Sequence, residues 1–487
     1  MSVLSQDQHD QGLSRARAIG LLLGPAFLLI TLLLPAPGDM KQASWHALGL
    51  MLLMATWWST EAIAIPATAL LPIVLIPALG LGSVSQATTP YANPIIFLFM
   101  GGFILGLAMQ RWNLHKRIAL LTLRAVGSQP RRQIAGFMLA TAFLSMWVSN
   151  TATTIMMLPI GLSVVSMLDH KNPEAVKRFA TALMLAIAYA ASVGGIATLI
   201  GTPPNALLAG YLADSHGITV GFAQWMMLGV PVSLAMLVAI WLWLVRKDFG
   251  LGEDSAHSAD GLRQHLHALG AMSRAEKMVG SVFVLTALAW MFQPLLSASV
   301  LPWLNDTVIA IAAALVLFLI PVSLCEKQFL MDWESAKDMP WGVLLLFGGG
   351  LALAGVISSS GLASWIAESL GALGVLPALL MLTLVVTVII FLTEVTSNTA
   401  TAAAFLPLLG ALAMSQDVSP ILFTVPAAIA ASCAFMMPVA TPPNAIVFGS
   451  GHVEIKDMVS AGFALNLIGI VVVTLMGYGL MGFVFGV

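Results

Sequence analysis

Long apolar runs separated by short polar breaks fill this chain from residue 19 onward. The runs at 19–34, 43–58, 63–79 and 93–109 predict membrane-spanning helices, because a helix crosses the hydrocarbon core in about 20 residues and in fewer where it is broken. The run 134–167 is interrupted by Ser149-Asn150-Thr151, and the run 179–212 by Thr202-Pro203-Pro204-Asn205. Further spans are expected at 225–245, 278–296, 306–324 and 341–357. The interrupted pair then recurs: 376–414 contains Ser397-Asn398-Thr399, and 420–448 contains Thr441-Pro442-Pro443-Asn444. The last run is 461–485. Residues 113–125 carry Arg and Lys at helical spacing and predict an amphipathic helix in the membrane interface. Arg15 and Arg17 precede 19–34, a run long for a signal-peptide core and without a small-x-small cleavage site, so it reads as a retained helix.

Composition agrees. Hydrophobic residues make up 59% of the chain, charged residues 9%, and mean hydropathy is +0.95. Soluble chains carry about 25% charged residues. An all-α polytopic membrane protein in a lipid bilayer is predicted. The net charge of −2 gives no reason to expect a nucleic-acid partner. Cys325 and Cys433 lie far apart in or beside apolar segments and indicate no disulfide or metal framework.

Ser-Asn-Thr-Ala-Thr stands at 149–153 and again at 397–401, an offset of 248 residues. The same offset carries Gly101-Gly102 onto Gly349-Gly350, Leu105 onto Leu353, Ile118-Ala119 onto Ile366-Ala367 and Leu158-Pro159 onto Leu406-Pro407. Thr202 falls on Thr441 at an offset of 239, so nine residues are lost between the polar islands. A constant offset across several sites indicates duplication. Paired interruptions in an apolar chain point to a carrier with its site at the repeat interface.

The predicted organisation is a tail and first helix over 1–42, a first repeat over 43–245, a cytoplasmic linker over 246–277 and a second repeat over 278–487. If 134–167 and 376–414 are re-entrant hairpins, the N terminus is cytoplasmic and the C terminus periplasmic. Every Lys and Arg except Lys41 then falls on the cytoplasmic side, as the positive-inside bias requires. The hairpins enter from opposite faces, which makes the repeats inverted. No eukaryotic targeting signal is evident, so a bacterial inner membrane is expected.

The chemistry sits in the four islands. Pro203-Pro204 and Pro442-Pro443 lack N–H groups and unwind their helices near mid-span. The freed carbonyls near Gly201 and Ala440, with Asn and Ser oxygens, suit a hard cation; helix N-termini at the same tips suit a carboxylate. Such a site holds no fixed cation, so an anionic substrate needs co-bound cations. Any single Ser or Thr here also fits ordinary helix packing, whereas Asn150 and Asn398 at matched tips point to function. Glu394 reads either as a proton site or as a structural acceptor bonding nearby hydroxyls at the hairpin tip.

The paired Ser-Asn-Thr and Thr-Pro-Pro-Asn motifs, with Trp58-Ser59-Thr60-Glu61-Ala62, resemble the divalent-anion:sodium symporter family from about residue 43 to the end. The resemblance implies a homodimer whose transport domain, holding both hairpins and both broken helices, moves like an elevator against a scaffold. It implies a first sodium site at Ser145, Ser149, Asn150 and the Gly201 backbone, and a second at Thr393, Asn398 and the backbone of Thr396 and Ala440. Substrate carboxylates would meet Asn150, Thr151, Thr202, Asn398, Thr399, Thr441 and Pro442. The implied activity is import of C4-dicarboxylates such as succinate, malate or fumarate with two or more sodium ions. Some relatives exchange carboxylates without sodium; the hydroxyls of Ser145 and Thr393 favour coupling. A cation/proton antiporter or metalloid-anion exporter would more often place Asp or Lys in the broken helices, where Glu394 is the only comparable group. An intramembrane enzyme would need a His-Glu metal pair, a Gly-x-Ser-x-Gly or paired mid-membrane Asp, and the chain has none of these.

Overall fold

The computed structural model describes residues 15–127, 129–168, 172–246, 249, 266–299, 301–323, 327–371 and 377–486. The polar N-terminal tail, most of the linker expected over 246–277 and Cys325 lie outside the described residues. Seven helical segments among the described residues are long and apolar enough to cross a membrane, from Arg15–Leu33 to Ile455–Phe485. An eighth counts if Arg274–Met291 and Gln293–Ser299, bent by 68° at their junction, form one span. The straight span expected over 278–296 is bent because Pro294 has no N–H and crowds the carbonyl one turn back. The span expected over 63–79 is two short helices, Ile65–Thr68 and Leu71–Ala78, each opened by a proline in its first turn.

One departure from an all-α chain appears. Asp306–Leu319 ends before the expected 324, because Pro321 forces Ile320 into extended backbone. Pro321–Ser323 then pairs antiparallel with Gln328–Phe329 in a small ribbon.

The interrupted runs resolve into two kinds of break. Pro130–Ser145 and Asn150–Ser166 are joined by a turn at 146–149, as are Ala378–Thr393 and Asn398–Ser415 by a turn at 394–397. The other two runs are broken helices: Pro173–Ile196 followed by Pro203–His216, and Ile421–Ala430 followed by Pro442–Phe448. The halves interleave between repeats. Asn150–Ser166 packs on Pro442–Phe448, and Asn398–Ser415 packs on Pro203–His216. Tyr189 of the first broken helix donates its hydroxyl proton to the Phe435 carbonyl in the second break at 2.8 Å. A side chain at Gly194 would overlap the backbone of Ala142, so glycine lets the first broken helix lie directly on Pro130–Ser145.

Unwound backbone inside a membrane protein must find partners. Fully buried Asn205 donates from Nδ2 to the carbonyls of Thr198 (2.8 Å) and Gly195 (3.2 Å). Asn444 does the same at the second break, to Met437 (3.0 Å) and Ala434 (3.1 Å). The last residue of each Thr-Pro-Pro-Asn motif therefore sutures its own break. The second break is longer and carries an extra tie. Glu394 accepts from the backbone N–H groups of Phe435 (2.7 Å), Met436 (3.0 Å) and Met437 (3.1 Å), and from Asn466 Nδ2 (2.7 Å). Glu394 is thus an acceptor that organises 435–437, and its partners are backbone N–H groups and an amide instead of the hydroxyls expected at the tip. The equivalent position of the first repeat is Met146, whose carbonyl instead accepts from Thr198 Oγ1 at 2.6 Å.

The amphipathic helix forms as Leu114–Val126. It is pinned by the buried fork of Arg117, whose Nε and Nη2 donate to Glu276 at 2.7 and 3.2 Å while Nη1 donates to the Gly270 carbonyl at 3.0 Å. Arg117→Ala leaves Glu276 charged, buried and unpaired; the expected destabilisation is about 3–5 kcal/mol, largely restored when Glu276→Leu is added to Arg117→Met. Thermal unfolding of the purified protein checks both, and an undiminished midpoint in Arg117→Ala would show that the pair carries no stability. Glu394→Ala orphans four donors at about 1–3 kcal/mol each, so its unfolding midpoint is expected to drop further than that of any exposed carboxylate variant such as Glu334→Ala. Equal midpoints for these two would refute the structural role.

Candidate functional site

The turn at 146–149 brings together Ser145, Asn150 and the first break. Ser145 Oγ lies 2.5 Å from Asn150 Oδ1 and 2.6 Å from the Ala191 carbonyl oxygen. The second tip repeats the figure: Thr393 Oγ1 lies 2.8 Å from Asn398 Oδ1 and 2.9 Å from the Ala431 carbonyl oxygen. A hydroxyl has one hydrogen, so Thr393 Oγ1, facing two acceptors, leaves one of them without its proton. Ser145 and Thr393 are fully buried.

The first tip is the more crowded. With its nitrogen turned toward the cluster, the Asn150 amide faces Ser145 Oγ at 2.5 Å, the Ala191 carbonyl oxygen at 3.1 Å and the Gly201 carbonyl oxygen at 3.3 Å, so one amide gathers three oxygens around the first break. Gly201 takes part because a side chain there would overlap the Gly195 carbonyl oxygen.

The other expected residues divide. Ser149 caps Asn150–Ser166, its Oγ accepting from the Ala152 N–H at 3.3 Å. Thr202 and Thr441 hold the same extended backbone before their half-helices, and Thr441 Oγ1 accepts from the Asn444 N–H at 3.2 Å while Thr202 forms no such cap. Thr151 and Thr399 are half-buried in the first turns beyond the tips, with hydroxyls unpartnered among the described residues. Pro442 is exposed. Thr396 turns its hydroxyl to the Leu392 carbonyl (2.9 Å) and to Thr401 Oγ1 (2.5 Å), and no hydrogen bond among the described residues ties Thr396 or Ala440 to the Thr393–Asn398 cluster.

The carbonyls of Ala191 and Ala431 were not anticipated. An alanine advertises no chemistry, yet a signal existed: Ala190-Ala191-Ser192 and Ala430-Ala431-Ser432 are a further matched triplet.

The two tips differ in their cover. Trp147 of the first is enclosed by aromatic rings, with Phe283 edge-on at 5.0 Å and Phe222 and Trp290 stacked at 6.1 and 6.4 Å. The matching Val395 of the second tip is 65% exposed, and nearby Val439 is 79% exposed. Trp147 is enclosed at the first tip, whereas its counterpart stands exposed at the second.

Comparison with known proteins places this architecture. The profile of a family described as the sodium:sulfate symporter transmembrane region matches residues 15–485. The sodium-dependent dicarboxylate transporter SdcS of Staphylococcus saprophyticus is 45% identical over 497 residues, covering 99% of this chain and 95% of that protein. The protein of the same name from Staphylococcus aureus is 44% identical over 498 residues, covering 100% of this chain and 95% of its own length. Among solved structures, the Alcanivorax borkumensis YdaH transporter aligns with a TM-score of 0.57 at 15% identity, covering 96% of this chain and 99% of that one. Neisseria gonorrhoeae MtrF aligns with a TM-score of 0.59 at 12% identity over 96% of this chain and 95% of its own. At those identities the two structures speak for the fold alone, and that fold is one found in membrane transporters. The chain is a multi-pass membrane transporter, not an enzyme, and it belongs to the divalent-anion:sodium symporter family.

Proposed function

We propose that this protein imports C4-dicarboxylates such as succinate, malate or fumarate, driven by two or more sodium ions. The observation that carries the reading is the pair of buried hydroxyl–amide–carbonyl clusters, Ser145–Asn150–Ala191 and Thr393–Asn398–Ala431. Each offers hydroxyl, amide and carbonyl oxygens to a hard cation, and none of the groups is a Lys or Arg. A dianion bound between them is neutralised only by the cations it arrives with, which makes coupling an electrostatic necessity. The names of the staphylococcal relatives, sodium-dependent dicarboxylate transporters, support both ion and substrate class.

In this reading the first sodium ion is held by Ser145, Ser149, Asn150 and the Gly201 carbonyl, and the second by Thr393, Asn398 and the carbonyls of Thr396 and Ala440. The substrate carboxylates meet Asn150, Thr151, Thr202, Asn398, Thr399, Thr441 and Pro442. The tips belong to re-entrant hairpins of two inverted repeats, 43–245 and 278–487, within a transport domain that moves as an elevator in each half of a homodimer. The protein sits in the inner membrane with its N terminus cytoplasmic and its C terminus periplasmic.

Two measurements test this. Radiolabelled succinate should enter empty proteoliposomes only with an inward sodium gradient and not when choline replaces sodium; uptake that ignores sodium but requires internal succinate would establish exchange instead. Asn150→Ala and Asn398→Ala should each lower uptake by about a hundredfold or more while unfolding midpoints stay near that of the parent, because each deletes an oxygen shared by cation and substrate. Full uptake in either variant would refute the site.

A further inference from the structure

A cavity of about 620 Å³ lies behind the first tip, between Asn150–Ser166 and the amphipathic helix Leu114–Val126. Its size is that of small-molecule sites, about 300–1,000 Å³. The long wall is apolar: Leu120, Leu144, Val148, Ile155, Met156 and Ile160. Polar groups gather from Gln110, His115, Lys116 and Thr153. Thr153 is 1% exposed, and its hydroxyl has no hydrogen-bond partner among the described residues. A buried hydroxyl in that state costs free energy until something bonds it. His115 is also buried; its Nδ1 donates to the Met109 carbonyl at 2.9 Å, which leaves Nε2 as the ring's uncommitted atom. Lys116 is exposed at the rim and forms no ion pair among the described residues.

The second repeat supplies an internal comparison. A twin cavity of about 510 Å³ is lined by Ser358, Ala363, Ser364, Glu368 and Pro407. These positions fall 248 residues after Gln110, His115, Lys116, Leu120 and Pro159 of the first cavity. The duplicated fold therefore builds the same recess twice and gives it opposite chemistry. Where the first has the cation Lys116 and the apolar Leu120, the second has Ser364 and the carboxylate Glu368.

We propose that the first cavity is a binding site for a single-tailed amphipathic carboxylate, its head between Lys116, Gln110 and the Thr153 hydroxyl and its tail along the apolar wall. The charge on Lys116 selects an anion, the unpaired Thr153 hydroxyl supplies a hydrogen bond, and the wall takes an acyl or aryl tail. The twin rejects such a ligand through Glu368. Binding would also act at a distance, an extension that rests on the transport reading. The wall helix begins at Asn150, so an occupant wedged against Leu114–Val126 restrains the tip without entering the site between the tips. Uptake should then lose maximal rate at unchanged KM.

Equilibrium dialysis of radiolabelled dodecanoate against the full chain in phosphatidylcholine nanodiscs tests the site without reference to transport. The expected result is saturable binding, weakened about tenfold or more by Lys116→Glu and by Lys116→Gln to a lesser degree, weakened by Thr153→Val, and unchanged by Ser364→Glu in the twin. Unfolding midpoints equal to that of the parent show that the loss is local. Non-saturable partitioning, or equal binding by Lys116→Glu, overturns the proposal. So does displacement of dodecanoate by phosphatidylglycerol added to the nanodisc, which would make a diacyl lipid the occupant. Failure of sodium-driven succinate uptake would count against the transport reading and leave the dialysis result standing.

Discussion

No water reaches the middle of a bilayer to pair an opened peptide group, so every interruption of a helix there must be repaired by the protein itself. That requirement governs the centre of this molecule. Two helices are broken by Pro-Pro pairs, and at each break a fully buried asparagine, Asn205 or Asn444, bonds the freed carbonyls from one turn beyond. With the break sutured, other oxygens can be left exposed to a ligand without unravelling the helix. The polar site is possible because the Thr-Pro-Pro-Asn motif contains both the breaker and its repair.

Once the breaks are stable, the tips can gather oxygens. At each, a buried hydroxyl meets an asparagine amide and a backbone carbonyl. At the first tip the Asn150 nitrogen faces Ser145 Oγ and the carbonyl oxygens of Ala191 and Gly201. At the second, Thr393 Oγ1 has one proton for two acceptors. In the transport reading proposed above, these oxygens are the ones a co-transported cation would meet.

Duplication gave the two halves the same skeleton and left room for them to diverge. Glu394 gathers three backbone N–H groups and Asn466 where the first repeat has Met146, whose main-chain carbonyl takes a threonine hydroxyl instead. The longer second break explains the difference: more unwound N–H groups need a stronger acceptor, and an ionised carboxylate accepts several at once. Trp147 lies in an aromatic enclosure while its counterpart Val395 is exposed.

Much of this was legible in the order of the residues. Apolar run length determined the helical membrane class, the offset of 248 pointed to duplication and singled out Asn150 and Asn398, and the family resemblance added Ser145 and Thr393. These are readable because their causes are local: a helix needs a set length to cross lipid, and proline removes a donor wherever it stands. Tertiary structure alone decided which distant groups meet. It brought the carbonyls of Ala191 and Ala431 to the tips, set Glu394 in a nest of amides some forty residues away, and paired Arg117 with Glu276. It also bent the span at Pro294 and ended another in a ribbon at Pro321. A backbone carbonyl is the same in every residue, so its role depends on where the chain is carried, and that is settled by how the two repeats interlock.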